Sequence, residues 1–560
     1  MTDSSSAETP RKSAPRPSTI RIGTRYRATR VEKQYDAIVI GSGIGGMTTA
    51  ALMSKAGKKV LVLEQHYTAG GYTHSYSRNG YEWDVGVHYI GEVGDPSSSM
   101  RRVFDFITDS QLKWAKMDDN YDRFYFGEDV YNLTAGREKF QTGLAAHFPE
   151  EIETIAKYLK MLDGVSRLIP LKVMDKLLPH TLCRPYNFIK KYGLPNYFNK
   201  TTYEVLSSLT SNQKLIAVLT GQYGDCGLPP KKSSFLIHAL IARHYLSGAY
   251  YPEGGAWKIA DTIIPVIQQS GGDVLTYATV KQIALDKGKV IGVEMADGHV
   301  IKATKVISGA GVINTFEHLL PQNVVEHHGY SQHLKRISSS IAHLGMYLGF
   351  KGSPAELKLP KTNFWIFPHY DADKAYVEFE ADKQKEFPAV YISFPAAKDP
   401  EWQRQHPDKS TIEIVAPCPY EWFKEWKDEP WGKRSDDYEQ LKDYFAQRML
   451  EALYSKMPHL RGRVDYFETS TPLSTEYFCG YKKGELYGLD HDPNRFEQNW
   501  LRPKTSIPGL YLTGQDILTC GVGGAMMGGV MSAVAVLGWS NYKLLTQIGM
   551  QAPLVQGFSG

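Results

Sequence analysis

Short apolar runs separated by glycine turns characterise the first hundred residues. Ala37–Ile40 is an unbroken apolar and largely β-branched run, which is typical of a strand buried on both faces of a parallel sheet. A stretch rich in Ala, Met and Leu follows from Gly45 to Ala56 and stops at Gly57, as a helix with a glycine C-cap does. A second apolar run, Val60–Leu63, comes next. This order predicts a strand–helix–strand unit.

The turn between the first strand and the helix carries Gly41, Gly43 and Gly46 at the G-x-G-x-x-G spacing. The first glycine permits a tight turn, the second lets the backbone approach a pyrophosphate, and the third allows the helix to pack closely on the strand. Glu64 ends the second strand about 20 residues later, where a carboxylate accepts hydrogen bonds from a ribose. A glycine triplet alone also occurs for packing, but the complete ordered unit predicts dinucleotide binding.

Two more glycine-rich stretches follow. The pair Gly70-Gly71 marks a turn where the backbone comes close to a neighbouring group. The stretch Gly80–Gly91 mixes glycines with polar and aromatic residues, among them His88. That histidine is a candidate proton donor or partner of a cofactor ring, and a satisfied half-buried histidine is the alternative.

The middle of the chain interrupts this pattern. Residues 167–200 alternate apolar residues with basic ones, and Pro170, Pro179 and Pro185 are expected to break the apolar helical face. An amphipathic segment packed on its own domain and a basic surface lying on a membrane both fit. Phe235–Tyr251 reads as an aromatic-rich helix that approaches a loop, either lining an apolar pocket or packing in a core.

Strands dominate the later part of the chain. A strand is predicted on each side of a turn within Gly272–Ile283, and a hairpin within Lys289–Ile301. Gly309 and Gly311 are not followed by the third glycine of the G-x-G-x-x-G spacing. We therefore do not predict a second nucleotide-binding site there. Alternation over 389–394 and 411–415 predicts an antiparallel sheet with one face available to roof a pocket. A helix over 436–454 and an apolar helix over 526–537 complete the pattern.

Composition narrows the function classes. Of the 560 residues, 42% are hydrophobic and 22% charged, which is ordinary for a folded protein. The formal net charge of +4 does not indicate nucleic acid as a partner. The five cysteines lie far apart and never in C-x-x-C spacing, so neither a disulfide framework nor a metal site is indicated. This usage fits a reducing compartment, and we expect a cytoplasmic location, with peripheral membrane contact through 167–200 as an open alternative.

The first 33 residues are rich in Ser, Pro and Arg and have almost no large apolar side chains. This composition predicts a disordered basic tail rather than a secretory signal. A basic arm that touches anionic lipid or nucleic acid is the alternative. No apolar run in the chain is long enough to span a bilayer.

Three motifs resemble one family. They are the glycine fingerprint with its following glycine pair, the D-x-G-x-H-Y-I-G run Asp84–Gly91, and the stretch Thr513–Ala525 with TGQDI, TCG and GA. Together they are similar to the retinol saturase branch of the phytoene desaturase and carotenoid isomerase superfamily of FAD-dependent oxidoreductases. Relatives also carry a Pro-x-Gly-Gly turn at the place of Tyr251–Ala256. The matches therefore lie at both ends and at the centre, and the resemblance covers essentially everything after the tail.

The resemblance implies an α/β fold of the two-dinucleotide-binding-domain flavoprotein type. A Rossmann-like FAD-binding domain is then assembled from 34–100, 251–312 and 500–550. Residues 101–250 and 313–499 form a mixed-sheet and helical substrate domain, some of whose helices face a membrane. With only one good dinucleotide fold, no separate NADPH domain is evident.

The resemblance also implies site residues. Relatives carry an arginine where this chain has Tyr72, so a contact of that arginine cannot be transferred. Val280 is the position whose backbone meets the adenine. The residues expected to bind FAD are Gly41, Gly43, Ile44, Gly45, Gly46, Glu64, Gln65, Gly70, Gly71, Tyr72, Val280, Gly514, Asp516, Gly523, Gly524 and Ala525.

The implied activity is reduction of a C=C bond in a lipophilic polyene or unsaturated lipid, such as a retinoid, carotenoid or fatty acyl chain. Desaturation and cis–trans isomerisation use the same flavin and are the alternatives. His88, Tyr89 and Tyr251 are the candidate proton donors. The electron donor is not identified by any motif. A non-catalytic lipid binder like the GDP-dissociation inhibitors is a minor alternative, which would predict a degraded phosphate site.

Overall fold

The computed structural model describes residues 18–32, 34–177, 196–538 and 546–548. In chain order, the strands of these residues are β1 (Thr24–Arg25), β2 (Ala37–Ile40), β3 (Val60–Leu63), β4 (Ser75–Arg78), β5 (Tyr81–Asp84), β6 (Ile90–Gly91), β7 (Trp114–Lys116), β8 (Asn120–Phe126), β9 (Asp129–Thr134), β10 (Ala249–Pro252), β11 (Asp273–Thr276), β12 (Val280–Asp286), β13 (Lys289–Met295), β14 (Val300–Lys302), β15 (Val306–Ser308), β16 (His343–Lys351), β17 (Asn363–Phe367), β18 (Val390–Ser393), β19 (Lys409–Pro417), β20 (Val464–Ser470) and β21 (Leu510–Leu512).

The α-helices of the same residues are α1 (Ile44–Lys55), α2 (Ser99–Ile107), α3 (Arg137–His147), α4 (Ile152–Leu177), α5 (Thr202–Ser207), α6 (Gln213–Thr220), α7 (Phe235–Tyr245), α8 (Lys258–Gln268), α9 (Val312–His318), α10 (Gln322–His327), α11 (Tyr330–Leu334), α12 (Ala372–Ala381), α13 (Pro395–Lys398), α14 (Pro400–Gln405), α15 (Asp436–Lys456), α16 (Pro472–Cys479), α17 (Pro493–Glu497) and α18 (Gly521–Leu537).

A six-stranded parallel sheet in the order β1-β11-β3-β2-β15-β21 forms the first layer. All four residues of β2 and of β3 are buried, which explains their unbroken apolar sequence. Helices α1, α8 and α18 share one hydrophobic cluster with this sheet. The strand–helix–strand unit is therefore confirmed, and so is the predicted α/β class.

The beginning of the chain differs from the expected disordered tail. Strand β1 pairs in parallel with β11 at the edge of the sheet. Ile22 is buried, and its N–H donates to the Thr68 hydroxyl over 2.9 Å. Residues 18–32 thus belong to the folded domain, because an edge strand needs few apolar side chains and is held mainly by backbone hydrogen bonds. Residues 1–17 lie outside the described part.

A second, seven-stranded mixed sheet has the order β20-β16-β19-β18-β17-β8-β9. Its pairs are antiparallel except β17 with β8, which run in parallel. Apolar side chains on one face pack against α15, and the other face turns toward the first layer. The strands predicted over 389–394 and 411–415 and the helix over 436–454 appear here as β18, β19 and α15. A separate antiparallel sheet, β12-β13-β14, contains the predicted hairpin.

Helix α4 runs through Pro170, so this proline does not break the helix as expected. The ammonium of Lys176, near the helix end, donates to the backbone carbonyls of Leu501 and Ile517 over 2.6 and 2.7 Å. This end of the helix therefore packs on the protein. Lys172 lies in the same helix and is buried. Arg184, Lys190 and Lys191, with Pro179 and Pro185, lie in 178–195, outside the described residues. Of the helices that are described, none has the length and apolar character needed to cross a bilayer.

Candidate active site

A cavity of about 540 Å³ lies between the two large sheets. Part of its wall is formed by the glycine turn after β2, the end of β3 and the start of α18. Another part is formed by aromatic and apolar side chains of the seven-stranded sheet, of helix α12 and of a loop, namely Trp365, Tyr391 and Val415, Tyr376, and Tyr487. The predicted roofing role of that sheet agrees with this arrangement.

Each glycine of the fingerprint has a distinct geometric reason. Gly41 has φ of +91°, a conformation that favours glycine. A Cβ on Gly46 would lie 2.3 Å from the Gly41 carbonyl oxygen, so only glycine permits this helix–strand contact. A Cβ on Gly43 would have no neighbour within 4 Å. Gly43 lies on the cavity wall, so that Cβ would enter space that a ligand can use.

Glu64 lies on the cavity wall at the end of β3. Its Oε2 accepts hydrogen bonds from the Ser42 N–H at 2.9 Å and from the Ser42 hydroxyl at 2.6 Å. Its Oε1 accepts from the His66 N–H at 2.8 Å. These bonds hold the carboxylate at the mouth of the glycine turn, where the ribose of a dinucleotide is expected.

Most other predicted cofactor residues also line the cavity, namely Ile44, Gly45, Gln65, Gly71, Tyr72, Val280, Gly514 and Ala525. Gly70 is not on the wall, but its N–H donates to the Ser42 hydroxyl over 3.0 Å. Tyr72 donates its hydroxyl to the Glu485 carbonyl over 2.9 Å. The glycines at 309 and 311 precede helix α9, which the sequence had not indicated. Gly309 lines this same cavity, so it adds to one site rather than forming another.

Three predicted residues, Asp516, Gly523 and Gly524, are not part of the cavity wall. Asp516 is buried, and its Oδ2 accepts from the Val312 N–H over 2.8 Å at the start of α9. A Cβ on Gly523 would meet Met100, and one on Gly524 would lie 2.2 Å from the Thr519 hydroxyl. These glycines allow close packing around α18, and direct contact of the three residues with a cofactor stays a prediction.

Of the three candidate proton donors, only His88 lines the cavity. Its Nδ1 lies 2.8 Å from Oε2 of Glu413. Burial and the nearby Lys398 charge lower the pKa of His88 to about 3. Burial raises the pKa of Glu413 to about 8, and the Glu413 Oε1 accepts from the Asp84 N–H over 2.7 Å. A half-buried histidine backed by a buried glutamate therefore faces the cavity.

The two tyrosines point into buried polar networks. The Tyr89 hydroxyl lies 3.1 Å from Oδ2 of Asp122 and 3.2 Å from Oδ2 of Asp225, and its one hydrogen is donated to either carboxyl group. The Tyr251 hydroxyl donates to Asp84. Neither residue contributes to the cavity wall. Burial holds the pKa of both hydroxyls well above the ordinary value, so neither is arranged to release a proton to a ligand.

Sequence reasoning missed Glu413 and Lys398. The Lys398 side chain is buried, and its ammonium donates to the His88 carbonyl over 2.9 Å, to the Ser393 hydroxyl over 2.8 Å and to Asn363. Burial lowers the pKa of Lys398 to about 7. An acid inside the apolar alternation of 411–415 was the one available signal for Glu413, since its side chain points to the opposite face from its isoleucine neighbours.

A family model described as an NAD(P)-binding Rossmann-like domain matches residues 39–107. The all-trans-retinol 13,14-reductase of Rattus norvegicus is 38% identical over 94% of this chain and 89% of its own. An inactive all-trans-retinol 13,14-reductase of Danio rerio is 32% identical, over 91% of this chain and 87% of its own. The chloroplastic prolycopene isomerase of Daucus carota is 24% identical, over 90% of this chain and 80% of its own.

Among solved structures, an oxidoreductase from Methanosarcina mazei is similar with a TM-score of 0.57 and 18% identity. The similarity covers 90% of this chain and 98% of that one. At this identity, the likeness supports the fold and not the chemistry.

Proposed function

The chain belongs to the all-trans-retinol 13,14-reductase family, and we propose on this premise that it is an FAD-dependent oxidoreductase that saturates a C=C bond of a retinoid or similar polyene. One observation carries the proposal. The same cavity is lined by the glycine turn with Glu64 and by an aromatic wall. A cofactor bound at the glycine turn therefore shares the cavity with an apolar alkene held against the aromatic side chains.

The residues present fit FAD. The positions of Gly43, Gly514 and Gly521 on the wall leave open space where a Cβ would stand, so a ligand can approach their backbone. The first turn of α1 presents backbone N–H groups and a positive dipole end toward a pyrophosphate. Glu64 is held by Ser42 and His66 for a ribose. A protein that only bound lipid would have no need for this intact cradle.

The aromatic part of the cavity wall suits a long apolar substrate. Trp365 and Tyr391 pack with ring centroids 4.6 Å apart, and Tyr391 lies 5.1 Å from the His88 ring. Rigid aromatic walls bind conjugated chains through dispersion and exclude water from the reacting bond. His88 is a polar group at this wall that can orient the alkene or exchange a proton with it. Bound FAD supplies the hydride chemistry.

Isomerisation of a polyene is the second candidate, favoured by the similarity to a prolycopene isomerase. Anaerobic incubation of the reduced holoenzyme with all-trans-retinol separates the two. We expect a product two mass units heavier together with flavin reoxidation. Geometric change without a mass change would favour isomerisation. A protein that cannot be loaded with FAD would contradict both and favour a non-catalytic lipid binder, and the inactive zebrafish relative makes this control necessary.

We also propose that a separate reductant delivers electrons to the flavin, since no second dinucleotide fold is indicated by the sequence. Peripheral contact with a membrane, through the basic part of 167–200, would give a lipophilic substrate a direct route from the bilayer. Stopped-flow reduction of the holoenzyme by NADPH, NADH or a flavodoxin-type donor tests the first point. Liposome binding tests the second.

A further inference from the structure

Glu413 sits where it can control the proton of His88. We propose that the neutral Glu413 carboxyl is a proton reservoir, which passes a proton to Nδ1 of His88 as Nε2–H of His88 protonates the substrate carbon. This inference rests on the proposed alkene reduction. In it, His88 is the catalytic acid and Glu413 is a positioning residue that acts through the imidazole.

The geometry restricts the route of the proton. The Glu413 side chain is 1% exposed and that of His88 is 15% exposed, so the carboxyl lies behind the imidazole as seen from the cavity. Oε1 of Glu413 is engaged by the Asp84 N–H, and Oε2 lies 2.8 Å from Nδ1 of His88. With Nδ1 occupied in this way, Nε2 is the ring nitrogen left for a ligand.

The electrostatics favour a neutral pair. Burial raises the pKa of Glu413, while burial and Lys398 lower the pKa of His88. A protonated carboxyl donates to Nδ1, which leaves the imidazole hydrogen on Nε2. Ionisable groups from several elements interact electrostatically with Glu413. They are Tyr76, Asp84, Tyr251, Tyr347 and Lys398.

The step balances in atoms and electrons. In the proposed reduction, one alkene carbon would receive a hydride, and with it two electrons, from reduced FAD held at the glycine turn. The other carbon forms a C–H bond as Nε2–H of His88 breaks, and Nδ1–H forms as the O–H bond of Glu413 breaks. The products are the saturated bond, a neutral imidazole with its proton on Nδ1, and a Glu413 carboxylate. The positive charge of Lys398 favours that carboxylate, and a proton from solvent restores the pair.

Glu413→Gln tests this step with little change of shape. The amide oxygen can still accept from the Asp84 N–H and the amide can donate to Nδ1, but it has no acidic proton. We expect normal FAD content, and a rate constant for single-turnover alkene reduction by pre-reduced enzyme about 10²- to 10⁴-fold lower. Glu413→Asp restores an acid at a shorter reach and should recover part of the rate.

The pH profile separates this role from a structural one. The wild-type rate should fall as pH rises through about 8, where Glu413 loses its proton. This inflection should be absent from Glu413→Gln, which keeps Asp84 and Lys398. The matched control is Glu82→Gln, because burial also raises the pKa of Glu82 to about 8, yet its carboxylate accepts from the Trp257 indole over 2.8 Å, away from the cavity. We expect this control to keep the wild-type profile.

Infrared titration of the flavin-free protein adds a readout independent of turnover. In the wild type and in Glu82→Gln, the carbonyl band of the protonated Glu413 carboxyl should disappear as the pH rises through about 8. This component of the spectrum should be missing from Glu413→Gln at every pH. The inference would be overturned if Glu413→Gln kept the wild-type rate and pH profile. It would also be overturned if the wild type lacked the infrared component of a protonated Glu413. If the wild type reduces no alkene while the component is present, the proposed function fails and the protonation of the pair stands.

Discussion

Gly43 separates ligand binding from folding more cleanly than any other residue of the glycine turn. Its φ of −59° and ψ of 163° are ordinary for any residue, and a Cβ there would meet nothing within 4 Å. Alanine restricts the unfolded chain but is a poorer N-cap than glycine, so the opposing effects leave the stability of the apoprotein within about 1 kcal/mol of the wild type. Any loss of function in Gly43→Ala must then come from the cavity.

The methyl group of Gly43→Ala would enter the space that a pyrophosphate must approach. Inserting a methyl into a well-packed contact typically costs about 1–3 kcal/mol. At about 1.4 kcal/mol per tenfold, this corresponds to FAD affinity weaker by about 5- to 150-fold. Titration of the apoprotein with FAD, followed by quenching of flavin fluorescence, measures the dissociation constant, and thermal unfolding of the same preparation measures stability.

Two other glycines supply the controls. Gly143 lies in α3, and a Cβ added there would also meet nothing within 4 Å. Gly143→Ala should therefore leave FAD affinity unchanged. Gly46→Ala places its Cβ 2.3 Å from the Gly41 carbonyl oxygen and should lower the unfolding temperature of the apoprotein. Wild-type FAD affinity in Gly43→Ala, with wild-type stability, would refute the position assigned to the pyrophosphate.

Three further predictions concern the surroundings. Tyr251→Phe removes a hydrogen-bond donor to buried Asp84 and should lower the free energy of unfolding by about 1–3 kcal/mol in a urea titration. The rate of alkene reduction per bound FAD should not change. A slower rate would show that Tyr251 takes part in the reaction. The folded-state pKa of Lys398, about 7, lies below its ordinary value of 10.5, so the unfolded chain binds more protons between these values. Wild-type stability relative to Lys398→Met should therefore increase as pH rises from about 7 to 10.5, by at most about 1.4 kcal/mol per pH unit. A stability difference that stays constant over this range would contradict the lowered pKa of Lys398. Anionic liposomes should retain the protein at low salt and release it at high salt, and failure to bind at low salt would exclude the proposed membrane contact.

Local sequence was sufficient to predict the nucleotide-binding unit. The strands over 37–40 and 60–63 have the expected bounds, because each is a fully apolar run enclosed by turn residues. The helix over 436–454 and the hairpin within Lys289–Ile301 were predicted for the same reason, since periodicity and turn chemistry act within one element.

Contacts between distant residues could not be predicted in this way. His88 and Glu413 are 325 positions apart and meet only because β19 crosses behind the cavity wall. Nothing near Tyr89 or Tyr251 in the chain indicates that their hydroxyls turn away from the cavity toward buried carboxylates. The short edge strand β1 was missed because its pairing depends on backbone hydrogen bonds, which leave little trace in composition.

The most direct test of the account is the anaerobic reaction of the reduced holoenzyme with single alkenes, followed by flavin absorbance and product mass. We expect a retinoid to reoxidise the flavin at a rate dependent on its concentration and to gain two mass units. Flavin that stays reduced while every retinoid, carotenoid and unsaturated fatty acid keeps its mass would contradict the proposed saturase activity.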